Sequence, residues 1–203
     1  DGSLSWEIRD AGEPASVYSR GSAYSSAQEG GEREEIEALL RQCGDAVDRE
    51  ERYRSFADRG LAYGPTHRTI ESLATNGHVA VGRLAANGGE EGVEGFVLPP
   101  GLLDGALQCA SALLSEGRSA PSVPFALASL EVDGPCAPAM WAVVRRAPAR
   151  QSPEAVEKFD LALCDDDGAI RVRMSGFATR PLAPQTAPKE DDAGTLLLRP
   201  AWR

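Results

Sequence analysis

Two histidines are all that this 203-residue chain carries, and its four cysteines, Cys43, Cys109, Cys136 and Cys164, stand far apart with no CxxC pair. Neither a zinc knuckle nor a dithiol redox motif can be built from such spacing, so reduced, mostly buried thiols and no metal site are expected. Positive charge is also scarce. Lys and Arg number 21 against 31 Asp and Glu, a formal net charge of -10. The acids gather in Glu32-Arg33-Glu34-Glu35, Asp165-Asp166-Asp167 and Glu190-Asp191-Asp192. Such a surface repels a phosphate backbone and argues against nucleic acid as a partner. No apolar run approaches the length of a membrane span, and Asp1-Gly2-Ser3-Leu4-Ser5-Trp6 has neither a basic n-region nor an apolar h-region. No membrane association and a cytoplasmic location are therefore expected. A start methionine is missing as well, and the chain reads as excised from something longer.

What is present is ordinary for a folded domain: 42% apolar and 26% charged residues, in a length that suits one principal core. Residues 4–9 and 15–24 alternate as a hairpin around Asp10-Ala11-Gly12-Glu13-Pro14, and Ser25 to Gly31 has the composition of a flexible linker. Helices are expected between Glu32 and Gln42, where Ile36, Leu39 and Leu40 fall at helical spacing, and over about 48–59, where Tyr53 and Phe56 share a face. Strands are expected at 77–85 and 93–98. Pro99-Pro100-Gly101 then stops pairing and starts a helix from about Leu102 to Ser115, apolar on nearly every face and so expected to be buried. Four strand-like runs follow at about 123–133, 139–147, 156–164 and 169–179, broken by Asp133-Gly134-Pro135, by 148–153 and by Asp165-Asp166-Asp167-Gly168. A sheet with one apolar face must bury it, and a single hydrophobic helix across a curved antiparallel sheet does so. That is the hotdog arrangement, an α+β fold in which the sheet wraps a buried helix. Ala183 to Gly194 reads as a further linker.

The strongest chemical signal is Asp104 with Gln108, four residues apart and so on one helix face, where the amide can orient the carboxyl. A carboxyl held among apolar residues has its pKa raised, as a general acid working near neutrality requires. The helix N-terminus favours the anion and pulls the other way. Taken alone, an Asp near a helix start is more often a cap or a first-turn charge.

The longer string Pro99-Pro100-Gly101-Leu102-Leu103-Asp104-Gly105-Ala106-Leu107-Gln108 resembles the second-hotdog motif of polyketide synthase dehydratases, in which a helix-borne Asp is followed four residues later by Gln or His. Other segments match that family in order. Tyr53 to Pro65 is similar to its helix and loop ending in Tyr-Gly-Pro, Val123-Pro124-Phe125-Ala126-Leu127 to its Pro-Phe strand start, and Gly134-Pro135-Cys136 to its next turn. Ser175-Gly176-Phe177 resembles the closing strand, and Leu196 to Trp202 the approach to a following domain, in wording closest to modular type I synthases of the trans-acyltransferase kind. The resemblance implies residues 1–26 as the end of a first hotdog, 27–47 as linker and short helix, 48–182 as the second hotdog, and 183–203 as a linker onward.

The reaction so implied removes water from a 3-hydroxyacyl thioester carried on the phosphopantetheine arm of an acyl carrier protein, with no bound cofactor. Asp104 matches the catalytic acid and Gln108 its orienting residue. Tyr63, Gly64, Pro65, His67 and Phe125 match the substrate-binding segments, with core packing the plainer alternative for Tyr63 and for His67. Partners would be the acyl carrier protein and neighbouring synthase domains, with homodimerisation left open. The carrier is acidic and would need a basic patch, for which Arg145, Arg146 and Arg150 are candidates, unless they merely decorate a strand end. The family's base, a His in His-x-x-x-Gly-x-x-x-x-Pro, belongs to the first hotdog and has no match here. His78 opens His78-Val79-Ala80-Val81-Gly82, but Asn87 stands where Pro is required, so that match reads as coincidence. His67 as a substitute base is the sharper alternative. A fragment of a complete dehydratase is therefore expected, with a noncatalytic or chain-branching dehydratase-like domain as the alternative and a thioesterase-type hotdog hydrolase behind both.

Overall fold

The computed structural model describes residues 2–12, 15–25, 31–114, 122–147 and 156–181. The expected breaks at 148–153, Arg150 and the linker 183–203 lie outside the described residues, as does most of the first linker. The chain divides into two units, Asp1–Gly31 and Glu32–Arg203.

The first unit is the expected hairpin, β1 (Leu4–Arg9) paired antiparallel with β2 (Val17–Ala23). Asp10 organises its turn. One carboxylate oxygen accepts the backbone N–H groups of Gly12 at 3.0 Å and Ser16 at 3.1 Å, and the other accepts the Tyr18 hydroxyl at 3.1 Å. Those bonds favour the anion and hold the Asp10 pKa below its ordinary value.

The second unit begins with α1 (Ile36–Gln42), β3 (Asp45–Val47), α2 (Arg49–Asp58), β4 (Ile70–Thr75) and β5 (Val79–Ala85). The central helix α3 (Pro100–Cys109) follows, running on into a 3-10 turn at Ala110–Leu113. The remaining strands are β6 (Ser122–Ala126), β7 (Ser129–Val132), β8 (Ala139–Arg146), β9 (Glu157–Cys164) and β10 (Ile170–Pro181). They form one antiparallel sheet in the order β3-β4-β5-β8-β9-β10-β6, with β7 also on β10. Leu102, Ala106, Cys109, Ala110 and Leu113 are buried along the central helix against Ile70, Leu84, Met140, Val144 and Phe159 of the sheet. This is a helix gripped by a curved sheet, as the apolar pattern implies.

The helix lies unusually close to the sheet at Gly105. A Cβ there would overlap the Thr69 hydroxyl and stand 3.3 Å from Leu84. The glycine in the Asp-Gly step is therefore a packing requirement of α3, since glycine allows the closest approach of a backbone.

Several expectations are corrected. Residues 93–98 form no strand but a succession of turns, because Gly88, Gly89 and Gly95 adopt positive φ and backbone bonds such as Phe96 N–H to Val93 C=O close locally. The run 123–133 is split into β6 and β7, both paired with β10. Strands β3 and β4 come in addition to those the sequence pattern predicts. In β4 a register shift between Ile70 and Ser72 breaks the alternation, so buried Ile70 and Leu73 fall three apart and mimic helical spacing. The sheet also buries part of its second face. Ile36 and Cys43 of the α1 segment pack there with Val81, Val143, Ala162, Cys164 and Ile170. All four cysteines are buried and unpaired.

One irregularity positions the site. Met174 pairs with Leu161 and Phe177 with Phe159, so Ser175 and Gly176 together oppose the single residue Asp160. Gly176, at φ 63°, donates its N–H to the Asp160 carboxylate at 2.8 Å. This β-bulge inserts one residue and reverses the alternation beyond it, turning Phe177 and Thr179 to the helix side.

Candidate active site

Asp104 sits on the fifth residue of α3, past the first turn, and the N-cap is Pro99 with no side-chain cap. The capping alternative is thereby removed. Asp104 Oδ2 instead accepts a hydrogen bond from Gln108 Nε2 at 2.9 Å. The same amide nitrogen donates to the His67 carbonyl at 2.9 Å, and Gln108 Oε1 accepts from the Tyr53 hydroxyl at 3.1 Å. The Tyr53 oxygen in turn accepts the Ile70 N–H at 3.2 Å. The His67 carbonyl fixes the direction of the whole chain. It can only accept, so the Gln108 NH₂ must face His67 and Asp104, and Gln108 Oε1 is left to take the Tyr53 proton.

Gln108 is only 3% exposed, and its satisfied amide holds one carboxylate oxygen of a half-buried Asp104. Burial pushes the Asp104 pKa upward, opposed by the Gln108 bond and by the nearby charge of His67. Desolvation outweighs these two opposing effects. Tyr63, half-buried beside Asp104, has its phenol pushed up to about 12, mainly by burial and then by the Asp104 charge. Its ring packs edge-on against Phe56 at 5.2 Å and Tyr53 at 6.3 Å.

Phe56, Tyr63, Asp104 and Gln108 line a narrow cleft of about 80 Å³. Tyr63, Asp104 and Gln108 stand with Pro124, Phe177 and Thr179 around it. Gly64 and Pro65 shape the loop that delivers Tyr63, with Gly64 leading into a 3-10 turn over Pro65–His67. Pro65 C=O accepts from Asn87 Nδ2. His67 contributes its carbonyl to Gln108, while its Nδ1 lies 3.0 Å from Thr66 Oγ1 and its ring is not among the cleft-lining groups. His78 is exposed in the β4–β5 turn. Phe125 is 54% exposed, 4.6 Å beneath the Arg180 guanidinium, and outside the lining. It is the extra residue where β6 slips against β10 between the Ala178–Ala126 and Thr179–Pro124 pairs. Arg145 makes a bidentate pair with Glu34 at 2.6 and 2.8 Å, and Arg146 pairs with Glu157 at 3.1 Å. Both guanidiniums are thus engaged in ion pairs within the fold. Among the described residues no group of His, Cys, Asp and Glu is arranged to hold a metal, and no helix is long and apolar enough to cross a membrane.

Sequence reasoning placed Tyr53 only on a helix face and missed its bonds to Gln108 and Ile70. Changing Tyr53 to Phe strands two buried partners, Gln108 Oε1 and the Ile70 N–H. A loss of about 2 kcal/mol is expected, readable as a lower denaturation midpoint at unchanged m.

Residues 11–189 match the family model described as polyketide synthase dehydratase N-terminal domain. The chain belongs to the polyketide synthase dehydratase family. Its relatives include polyketide synthase ThaG of Burkholderia thailandensis, 40% identical over 84% of this chain and 3% of that protein. PksN of Bacillus subtilis is 29% identical over 100% of this chain and 4% of its own length. Among solved structures, a trans-AT synthase dehydratase domain from Brevibacillus brevis superposes with a TM-score of 0.80 at 32% identity. It covers 90% of this chain and 66% of the dehydratase. The RzxB dehydratase domain of Pseudomonas fluorescens gives 0.77 at 28%, over 89% and 64%. The chain therefore spans about two thirds of these dehydratase domains and a small part of the curated synthases. The hotdog fold of the family accounts for the buried helix and the antiparallel sheet around it.

Proposed function

We propose that this dehydratase-family chain carries the acid side of a dehydration reaction in a trans-acyltransferase polyketide synthase. The substrate is a 3-hydroxyacyl thioester on the phosphopantetheine arm of an acyl carrier protein. A base removes the proton beside the thioester carbonyl. Asp104, protonated beforehand, gives its proton to the departing 3-hydroxyl, the carbon–oxygen bond breaks, and an unsaturated thioester and water result. The supporting observation is the Ile70–Tyr53–Gln108–Asp104 hydrogen-bond chain, which holds one carboxyl oxygen and leaves the other without a partner among the described residues. Tyr63, with Gly64 and Pro65 shaping its loop, borders the substrate passage.

No histidine lines the cleft among the described residues, so the base is assigned to residues other than these. On this reading 48–182 is the second hotdog, an assignment that rests on the helix-borne Asp104–Gln108 pair although the matching family model is described as an N-terminal domain. The hairpin of 1–26, which buries none of its strand residues, suits the end of a first hotdog, since a lone two-stranded ribbon is marginal in water. The setting is cytoplasmic, beside the carrier protein and other synthase domains, with no cofactor beyond the arm itself.

The test compares this chain alone with the longer parent protein, each incubated with a 3-hydroxyacyl carrier protein and followed by mass spectrometry. The parent protein is expected to yield a product lighter by one water, and the chain alone none. Product from the chain alone would place the base within these residues. No product from the parent would sink the catalytic reading in favour of a scaffold that binds carrier protein.

A further inference from the structure

Tyr63 lines two hollows. One is the cleft of Asp104, about 80 Å³, and the other is a hollow of about 300 Å³ formed by α2 and the loop that follows it. Glu50, Tyr53, Arg54 and Arg68 line the second with Tyr63, all from one continuous described stretch of chain. Its charge is unbalanced. Glu50 is the one carboxylate in this lining, and two guanidiniums already answer it, Arg68 Nη2 at 2.7 Å and Arg49 Nε at 4.0 Å. Arg54 is exposed on the same wall and has no ion pair or hydrogen bond among the described residues. Three guanidiniums thus surround one acid in a chain whose net charge is -10.

Arg68 is also held in place. Its guanidinium lies 4.6 Å over the Tyr53 ring, a cation–π contact, and Nη2 is fixed by Glu50. Its Nε is buried, whereas Nη1 is neither buried nor bonded and remains free to donate. Guanidinium forks of this kind match the oxygens of a phosphate.

We infer that this hollow binds a phosphate group through Arg54 and Arg68, supplied by the base of the pantetheine arm, an inference that rests on the proposed thioester substrate. The spacing suits that occupant. Arg68 is separated from the acid by one aromatic ring and one amide, with 3.1 Å from the Tyr53 hydroxyl to Gln108 and 2.9 Å from Gln108 to Asp104. From thioester to phosphate the arm has about the backbone length of four residues, roughly 14 Å extended. The cleft of Asp104 is too small for acyl end and arm together, and Tyr63 is the residue it shares with the larger hollow.

The test uses the parent protein with two unreactive probes that differ only in the phosphate, S-butanoyl-phosphopantetheine and S-butanoyl-pantetheine. Wild-type protein is expected to bind the phosphorylated probe more tightly, as read by ligand-observed NMR, and added salt should narrow the difference. Arg54→Gln removes an exposed, unpaired side chain, so the unfolding midpoint should stay unchanged. It should weaken the phosphorylated probe about fivefold and leave the other probe as it was, while Arg54→Lys retains most of the preference. Equal binding of the two probes by wild type overturns the inference, as does equal weakening of both, or an undiminished preference, in Arg54→Gln. Inorganic phosphate that competes as strongly as the phosphorylated probe assigns the hollow to the free ion and overturns the arm as its source. A parent protein that shows the Arg54-dependent preference yet removes no water sinks the dehydratase reading and leaves this site standing. One that dehydrates a carrier-bound substrate with the same KM in Arg54→Gln sinks the site alone.

Discussion

Replacing Asp104 with Asn is expected to lower kcat for dehydration by about 10²–10⁴-fold, the range for loss of a positioned general acid. That corresponds to about 3–5 kcal/mol of transition-state stabilisation. The amide oxygen of Asn can still accept from Gln108 Nε2, and the cleft keeps its shape, so KM should change little. Steady-state kinetics with a 3-hydroxyacyl carrier protein reads this split. Dehydration that persists at the parental rate would remove Asp104 from the role assigned to it.

The fold should respond in the opposite sense. Burial raises the Asp104 pKa, so the native state binds the proton more tightly than the unfolded chain. Stability from this residue is therefore complete at pH below the unfolded pKa and declines as pH rises through the raised one. Asn cannot ionise. Its variant is expected to match or exceed the parent in unfolding midpoint at neutral pH, with the advantage vanishing on acidification.

The second large effect concerns Gly105→Ala. Helix propensity alone favours alanine by about 1 kcal/mol, so a reading of α3 in isolation expects stabilisation. Packing decides otherwise. The added methyl meets the Thr69 hydroxyl and Leu84, and Thr69 is not free to swing away because its hydroxyl donates to Gly101 C=O at 3.0 Å. Moving the helix outward would instead disturb the Gln108 bonds to His67 and Tyr53. Overpacking of this kind costs roughly 1–3 kcal/mol or more, and after the propensity gain a net loss of about 2 kcal/mol is expected. For a chain of this size that lowers Tm by roughly 4–8 °C. Differential scanning calorimetry measures it, and a rise in Tm would refute the close-approach account.

What the sequence makes legible here is what is local along the chain. Asp104 and Gln108 are four apart on a helix, and that spacing alone brings them together. The hairpin of Asp165 to Gly168 is equally plain, with the Asp165 carboxylate accepting from Asp167 and Ala169 N–H groups at 3.1 and 2.9 Å. Tyr53 reaches Gln108 across 55 residues, and no periodicity encodes that meeting. β-bulges hide the rest. The slip in β4 disguises a strand, and the slip in β6 directs Pro124 to the cleft while leaving Phe125 under Arg180, although the two are adjacent in the Pro-Phe motif. The continuous apolar run in β8 reflects two covered faces, since Val143 packs with Ile36 on one side and Val144 in the helix-side core on the other.

The bulge in β10 also makes one residue expendable in a way its neighbours are not. Ser175 and Gly176 share a single partner, so shortening the chain by Gly176 straightens the strand yet keeps Phe177 and Thr179 on the side they now occupy. Closing up the pairing without shortening does the reverse and points Ala178 and Arg180 at the buried helix. Arg180, now exposed over the Phe125 ring, would have to give up water there, a cost that holds the strand in its present phase. A slip or insertion that changes this phase, more than any substitution, is therefore the change through which the lining of this cleft can be exchanged as a set.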